Sequence, residues 1–446
     1  MIVLEFKAYP NQHQASAIQK AIRTAQFIRN KCLRYWMDNK GVSKYDLSKL
    51  STVLAKEFPF VKELNSQARQ ASSERTWSAI LRFYANCKLK VAGKKRTAPS
   101  EVPSDWGRSK QGYPKFRKNA RSVEYKTSGW KLSDTRKHIT FTDKKGIGRL
   151  KLKGGYDLHF YDIDQIKRVR IVRRADGYYV QFCVRVERTE TIEPSGNAIG
   201  LDVGLKEFYT DSNGNAEPNP RFYRLGEERM KFYQRRVSRK KRTGHSEVER
   251  CGTCVRLSNR PREVSSDYAR SKKKGSANRS KAINQLARQH LKISRQRKDH
   301  AVKLARCVVQ SNDLIAYEDL RVRNLAKNHC LAKSINDVGW YQFRTWLERY
   351  GKVFGKVTVA VNPAYTSQDC SSCGTTVKKS LSTRTHACQC GCTLDRDRNA
   401  AINILNKALS TVGHTGTNAS GDLASIWIGE NLSKQAGSMK EESSRL

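Results

Sequence analysis

Three acidic residues stand out in a chain whose other charges are mostly positive. Asp202 closes the apolar run Ile199-Gly-Leu-Asp202, and Glu318 closes Leu314-Ile-Ala-Tyr-Glu318. Asp397 lies in Asp395-Arg-Asp-Arg-Asn-Ala-Ala401, at the start of a helical pattern continuing through Ile402, Ile404 and Leu405. A carboxylate ending so apolar a strand is costly to bury unless it is paired or metal-bound. One in the first turn of a helix is favoured by the helix dipole. Taken singly, each has an ordinary reading: Asp202 bonding its own turn, Glu318 pairing with a surface arginine, Asp397 a first-turn acid. Together they are three oxygen ligands on an α/β frame. Such a set suits two Mg2+ ions, or Mn2+, held ~3.5–4 Å apart to activate water for in-line attack on a phosphodiester and to stabilise the leaving oxygen. Asp202, Glu318 and Asp397 are therefore both the candidate catalytic residues and the candidate magnesium ligands. No Ser–His–Asp set or Gly-rich phosphate loop competes, and His300 and His386 are not spaced as a catalytic pair.

The cysteines carry a second chemistry. Of twelve, five fall between Cys370 and Cys392. Cys370-Ser-Ser-Cys373-Gly374 and Cys388-Gln-Cys390-Gly391 are separated by fourteen residues. Two thiolate pairs at this distance make a zinc ribbon, and four thiolates leave no open position, so the zinc is structural. Cys392 could replace Cys390; Cys390 is preferred because Gly391 follows it as Gly374 follows Cys373. Cys251 and Cys254 form half a site with no visible second pair. Cys32, Cys87, Cys183, Cys307 and Cys330 stand alone in apolar patterns and read as buried small hydrophobes. Cysteine usage of this kind suits a reduced, cytoplasmic protein.

The partner is indicated by charge. Over 446 residues, 86 Lys and Arg face 41 Asp and Glu, a formal charge of +45. Seven of the thirteen residues from Lys231 to Thr243 are basic, and Lys272 to Lys274 is another run. Basic runs in several segments point to nucleic acid, whose phosphates release counterions when neutralised. A membrane surface would want one amphipathic basic helix instead. No stretch approaches ~20 uninterrupted apolar residues, and MIVLEFKAYPNQHQ lacks the basic flank and apolar run of a signal peptide. No membrane association is expected.

The elements that must position these residues follow from periodicity. A short strand (Ile2 to Phe6) and Tyr9-Pro10 precede a helix with Ala17, Ile18, Ala21, Ile22, Ala25 and Ile28 on one face. Residues ~45 to 90 read as helices. From Ser122 to Val186 the period is two, as in Ile139-Thr-Phe141, Arg149 to Leu152 and Val169 to Val172. Asp176-Gly177 supplies a hairpin turn, so this region is a small antiparallel sheet or barrel. From Asn197 the order is strand (Ala198 to Asp202), strand (Lys206 to Asp211), basic helices (the longest from about Ala277 to Gln310), strand (Leu314 to Glu318), helix (Val338 to Val353) and buried strand (Lys356 to Val361), an α/β pattern. The 38 residues from Leu409 to Leu446 are rich in Gly, Ser, Thr and Asn and read as a mobile tail.

In combination these motifs resemble the TnpB family, transposon-encoded RNA-guided nucleases related to type V CRISPR effectors. Ile199 to Asp202, Tyr317-Glu318-Asp-Leu320, Ser367-Gln-Asp-Cys370-Ser-Ser-Cys373-Gly374 and Asp395 to Ala401 occur in the family's order. Tyr9-Pro10, Gly112-Tyr-Pro-Lys-Phe116, Lys333-Ser334 and Trp340 to Phe343 are further matches, and the resemblance covers roughly residues 1 to 408. Thr411 to Gly416 is similar to the ends of cyanobacterial members. The resemblance implies an α/β multidomain protein. A RuvC nuclease domain of RNase H-like fold would span 197–368 and 393–408, with an inserted zinc ribbon at 369–392. A β-barrel wedge domain would span 1–44 and 118–196, with a helical recognition insert at 45–117 and the tail at 409–446. By motif position Asp202, Glu318 and Asp397 match the three catalytic carboxylates, with Asp395 in support.

The resemblance also implies a guide RNA from the transposon end and cleavage of double-stranded DNA beside a short motif at one nuclease site. The expected form is a bacterial, nucleoid-associated monomer with its RNA. Gln67, Gln70, Arg75, Trp77 and Phe83 are candidate nucleic-acid contacts whose ordinary reading is helix surface and core. Arg235, Arg236, Arg239, Lys240 and Lys241 are candidates from the basic run. The competing functions are an RNA-guided DNA-binding protein that does not cut, a transposase acting directly on DNA, and a structural RNA-binding protein with a zinc ribbon.

Overall fold

The computed structural model describes residues 2–89, 112–143, 146–239, 277–380 and 383–419, the side chains of 412–419 excepted. The chain divides into two units, Met1–Glu187 and Arg188–Leu446.

The first unit contains β1 (Ile2–Ala8), α1 (Gln12–Asp38), α2 (Lys44–Glu57), α3 (Pro59–Glu63), α4 (Ser66–Lys88), β2 (Ser122–Lys126), β3 (Trp130–Leu132), β4 (His138–Phe141), β5 (Gly148–Lys153), β6 (Ile166–Arg174) and β7 (Gly177–Val184). Helix starts follow capping chemistry. Asn11 with Gln14 and Ser43 with Asp46 form reciprocal capping boxes, and Pro59 sits at the first turn of α3. The strands form one antiparallel sheet in the order β2-β6-β7-β1-β5-β4-β3. At the β6–β7 turn Gly177 has φ 136°, open to glycine and strained for other residues. The sheet curls: the Tyr125 ring on β2 lies 4.8 Å from Phe141 on β4, and its hydroxyl donates to Asp143 Oδ2 at 2.7 Å. Helices α1 to α4 share one core with this sheet through Ile18, Ile28, Leu47, Ile80, Val180 and Phe182.

The second unit contains β8 (Ala198–Asp202), β9 (Glu207–Asp211), β10 (Ala216–Pro218), α5 (Phe222–Leu225), α6 (Glu227–Arg239), α7 (Ala277–Ser311), β11 (Leu314–Glu318), α8 (Val322–Leu325), α9 (Ala332–Val338), α10 (Trp340–Phe354), β12 (Val357–Val361), β13 (Thr385–Ala387), β14 (Thr393–Asp395) and α11 (Arg396–Ala419). Its main sheet runs β10-β9-β8-β11-β12, antiparallel from β10 to β8 and parallel from β8 to β12. Strand alternation sorts the layers. Ile199, Leu201, Ile315 and Tyr317 pack with Ala301, Ala305, Phe343 and Leu347 of α7 and α10. Leu314, Ala316 and Val361 pack with Ile404 and Ala408 of α11.

Several expectations are corrected. The helix expected from Val338 to Val353 is broken at Gly339 (φ 78°), which ends α9 and starts α10. β12, expected to be buried, is the sheet's edge strand, and of its residues Val361 alone is fully buried. α11 continues past 408 to Ala419, and Leu409 still packs on the core under the sheet. Cys32 and Cys183 are buried as expected, but Cys87, Cys307 and Cys330 are exposed. Cys87 falls in the last turn of α4, Cys307 faces outward on α7, and Cys330 lies in a loop beside His329. Cys251 and Cys254 lie outside the described residues.

Candidate active site and metal centre

β8 and β11 run side by side in parallel, with Leu201 opposite Tyr317. Asp202 and Glu318 are the next residue on each strand, so they end adjacent strands together. Counting back by two from Asp202 reaches Gly200, and from Glu318 reaches Ala316, so both carboxylates belong to the face covered by α11. Gly200 admits α11 to that face: a β-carbon there would lie 2.1 Å from the Ala401 carbonyl oxygen and 2.9 Å from the Leu405 backbone nitrogen. This close crossing carries Asp397, one turn before Ala401, toward the strand ends.

Asp395 fixes the helix start. Its Oδ1 accepts from the backbone N–H of Asp397 at 2.8 Å and of Arg398 at 3.4 Å. That is a capping role, and it leaves the Asp397 carboxylate for other partners. Arg396 donates to Asp397 Oδ1 from Nε at 3.1 Å and Nη2 at 3.0 Å, and Arg384, just before β13, donates to Oδ2 at 3.3 Å. Glu318 Oε1 accepts from the Thr366 hydroxyl at 2.7 Å.

Asp202 is within electrostatic reach of Glu318 and Asp397. Asp202 keeps a solvent-facing edge, yet burial pushes its pKa far above the ordinary carboxylate range. Glu318 and then Asp397 push it further, and Arg396 partly opposes them. Burial also raises Glu318, against the Thr366 hydroxyl and the charge of Lys407. Like charges gathered in a partly dry site favour protons or a cation.

The cysteines converge more tightly. The sulfurs of Cys370, Cys373, Cys388 and Cys390 all lie within 4.8 Å of one another, the one set of three or more acid, His or Cys ligands so gathered among the described residues. Cys370 and Cys390 sulfurs are 3.7 Å apart, and those of Cys373 and Cys388 3.6 Å. Four sulfurs about 2.3 Å from one zinc would stand about 3.8 Å apart, so the quartet fits zinc. The Thr375 hydroxyl and backbone N–H pull the Cys373 thiol down to about 6, toward the thiolate that binds metal. Cys390, not Cys392, completes the set; the Cys392 carbonyl instead accepts from Cys388 N–H at 3.0 Å.

Residues that the sequence reading did not single out tie the two centres together. Asn399, fully buried, donates to the Asp369 carbonyl at 2.8 Å and accepts from Ser371 N–H at 3.0 Å. Asn403 donates to the carbonyls of Thr366 at 2.9 Å and Asp369 at 2.7 Å. The run Asp-Arg-Asp-Arg-Asn contains Arg396 and Asn399 and could have flagged both; Thr366, Arg384 and Asn403 had no comparable signal.

The candidate nucleic-acid contacts are mixed. Phe83 is corrected: its ring is buried against Trp36, Tyr84 and Tyr113, where it packs the core. Trp77 is half-buried against the same unit's core. Gln67, Gln70 and Arg75 are half-buried along α4. Arg235 and Arg239 are exposed on α6, and Arg236 stacks 5.6 Å over Phe232. Lys240 and Lys241 lie outside the described residues.

Comparison with known proteins places this arrangement. The family model described as "Cas12f1-like, TNB domain" matches residues 340–404, from α10 through the cysteine quartet into α11. The model OrfB_IS605, described as "Probable transposase", matches 181–271 and 255–329. A Streptomyces pristinaespiralis protein named "Putative RNA-guided DNA endonuclease" is 29% identical over 418 residues, 91% of this chain and 89% of that protein. An Escherichia coli (strain K12) protein with the same description and the name InsQ is 24% identical over 426 residues, 90% of each. Among solved structures, "Cryo-EM structure of the Cas12f1-sgRNA-target DNA complex" superposes with a TM-score of 0.52 at 15% identity, covering 89% of this chain and 83% of that one, a likeness of fold. Motif order and relatives agree, and the chain is similar to the TnpB/IS605 family along most of its length.

Proposed function

We propose that the chain is an RNA-guided DNA endonuclease that binds a guide RNA and hydrolyses matched double-stranded DNA beside a short motif at one site, formed by Asp202, Glu318 and Asp397. The observation that carries the reading is that Asp202 and Glu318 end the parallel neighbours β8 and β11 while Asp397 lies in the first turn of α11, the helix packed on Gly200 of β8, in a chain of charge +45. The names of the two relatives support it.

The donor set fits hard divalent ions: it is all oxygen, it is partly dry, and its charges repel one another. Asp202, Glu318 and Asp397 would hold Mg2+ or Mn2+, which when bound supplies activation of water and stabilisation of the leaving oxygen. The chain's own residues prepare that site. Thr366 keeps Glu318 oriented and favours its charged form. Asp395 fixes the start of α11. Arg396 and Arg384 hold Asp397 in place and offset the local negative charge. We read the second unit as a RuvC domain with an inserted structural zinc ribbon, and the curled sheet of the first as a β-barrel wedge. The net charge suits a channel that holds an RNA–DNA duplex by its backbone while base pairing supplies sequence. The working form would be a monomer with its RNA. No helix among the described residues is long and apolar enough to cross a membrane.

The test is to purify the protein from its native locus, sequence the bound RNA, and offer DNA matched to its variable end. A discrete RNA and Mg2+-dependent cleavage of matched DNA are expected. Random cellular RNA and no matched cleavage would overturn the reading. The description "Probable transposase" for residues 181–329 favours one other reading, direct action on DNA. It requires strand transfer in RNA-free protein, measurable on labelled transposon ends.

A further inference from the structure

Residues on both sides of Glu318 are held by one arginine. Tyr317, before it, packs with Phe343 and Leu347 of α10, on the face of the sheet opposite α11. Arg344, also on α10, lies 5.5 Å over the Tyr317 ring and pairs through Nη1 with Oδ1 of Asp319, the residue after Glu318. Glu348, one turn further along α10, closes the ring. Its Oε1 accepts from Arg344 Nε at 2.8 Å and from the Tyr317 hydroxyl at 3.1 Å. Burial and Glu348 hold that hydroxyl protonated, while Glu348 and then Asp319 favour the charged guanidinium against its partial burial. The backbone is tied as well. Asp319 N–H donates to the Val361 carbonyl at 2.8 Å, carrying the β11–β12 ladder one residue past Glu318, and Leu320 N–H turns back to the Glu318 carbonyl at 2.9 Å.

What the ring adds is direction. Glu318 and α10 share a cleft whose walls include the apolar Val203, Leu320, Val322, Phe343 and Leu347. Apolar contact is non-directional and lets a strand end twist or slide. A guanidinium is a rigid fork that donates along two lines at once. Arg344 directs Nε to Glu348 and Nη1 to Asp319, so it sets α10 against the chain at 317 and 319 together. From the other side the Thr366 hydroxyl holds the Glu318 carboxylate itself at 2.7 Å. The size of the effects separates this from a role in folding. The Arg344 side chain is 33% exposed and that of Asp319 58%. Ion pairs so exposed add little to stability. A catalytic group displaced by about 1 Å, by contrast, can lose ~100-fold in rate.

We propose that Arg344 is a positioning residue for DNA hydrolysis: through Asp319, Glu348 and Tyr317 it fixes the end of β11, and with it the Glu318 carboxylate as a ligand for divalent ions. The inference rests on the cleavage site proposed above and assigns the device that holds its second carboxylate in place. Arg344 acts through the backbone that carries Glu318, whereas burial, Thr366 and Lys407 govern the ionisation of that carboxyl.

The test uses the full chain, RNA-loaded for cleavage and nucleic-acid-free for melting. Arg344→Gln is expected to cut matched DNA roughly 10- to 100-fold more slowly under single-turnover conditions, with DNA affinity and the acid limb of the pH–rate profile unchanged. Its melting temperature without Mg2+ should stay close to wild type, and the rise on adding Mg2+ should shrink. Arg344→Lys keeps the charge without the fork and should not restore the rate. Asp319→Asn keeps an acceptor for Nη1 and should cut near the wild-type rate, whereas Asp319→Ala should be slow. The double variant Arg344→Gln/Asp319→Ala should lose no more than Arg344→Gln alone, because both break one device. A wild-type rate in Arg344→Gln, full rescue by lysine, or additive losses in the double variant overturn the proposal. So does a rate loss that a lower melting temperature accounts for. If the wild-type protein cuts no matched DNA, the guided reading fails by itself. The rise in melting temperature with Mg2+ then still decides the positioning role: a smaller rise in Arg344→Gln than in wild type supports it, and an equal rise removes it.

Discussion

Gly200 and Ala401 pack so closely that a β-carbon on Gly200 would fall 2.1 Å from the Ala401 carbonyl oxygen. The atom it would meet is helix backbone, which cannot rotate away. This one contact limits how far Asp397 stands from Asp202, since Asp202 lies two residues after Gly200 on β8 and Asp397 one turn before Ala401 on α11. Gly200→Ala must lift α11 off β8. Overpacking of this kind costs ~1–3 kcal/mol, and a displacement of about 1 Å in a catalytic group can cost ~100-fold in rate. The expected variant melts several degrees lower and loses cleavage far beyond what its folded fraction explains. Thermal unfolding and single-turnover cleavage on the same sample check this. Wild-type cleavage by the folded variant would show that the spacing is unimportant.

Asp202 gives a stability prediction whose sign can be worked out. Its folded-state pKa is raised by burial and by Glu318 and Asp397. The native protein therefore keeps a proton that the unfolded chain has released, and stability falls as pH climbs from the ordinary carboxylate value through the raised one. Asp202→Asn removes that penalty. Without added divalent ions the variant should melt above wild type at neutral pH, with the gap closing in acid. Added Mg2+ should stabilise wild type and leave the variant unmoved. Guided binding should persist while cleavage is lost. An Asn variant that melts below wild type at neutral pH would contradict the charge arrangement.

What was legible in the sequence, and what was not, divides along a physical line. Asp202, Glu318 and the start of α11 were readable because each ends or opens a run with strong local periodicity. The cysteine quartet was readable because ligand spacing is a local property. Thr366, Asn399 and Asn403 were not, because their partners lie 28 to 48 residues away and are mostly backbone carbonyls and amides. The break at Gly339 was hidden by apolar spacing that runs on across it. Phe83, Cys87 and Cys307 failed for one reason: composition does not say which helix face meets the core.

Thr366 tunes Glu318 and so should tune the pH dependence of cleavage. Burial raises the Glu318 pKa, and the Thr366 hydroxyl, bonded at 2.7 Å, opposes that rise. Thr366→Val removes the donor while nearly keeping the volume. The carboxyl then holds its proton to higher pH, and the acid limb of the pH–rate profile moves upward. Cleavage should fall several-fold at neutral pH and recover in mildly alkaline buffer. Thr366→Ser restores the hydroxyl and should restore the profile. A Val variant with an unshifted acid limb would remove Thr366 from any electrostatic role.

The fourth sulfur of the ribbon is decided by geometry and can be tested by metal content. Cys390 stands 3.7 Å from Cys370, completing a quartet with Cys373 and Cys388, whereas Cys392 serves through its backbone carbonyl. Purified protein should carry one zinc per chain. Cys390→Ser should lose it, because three thiolates and a hydroxyl hold zinc far more weakly, while Cys392→Ser should keep it. Metal release measured with a chromogenic chelator and a thiol reagent separates the two. Structural zinc contributes ~10–16 kcal/mol to the folding of small zinc domains, so the Cys390→Ser ribbon should become protease-sensitive between 369 and 392. Cleavage should fall as well, since Asn399 and Asn403 anchor α11 to the carbonyl of Asp369 beside Cys370, and Arg384 reaches Asp397 from the ribbon. Zinc retained by Cys390→Ser and lost by Cys392→Ser would reassign the ligand. Zinc loss with undiminished cleavage would show that the ribbon does not hold the carboxylate site in place.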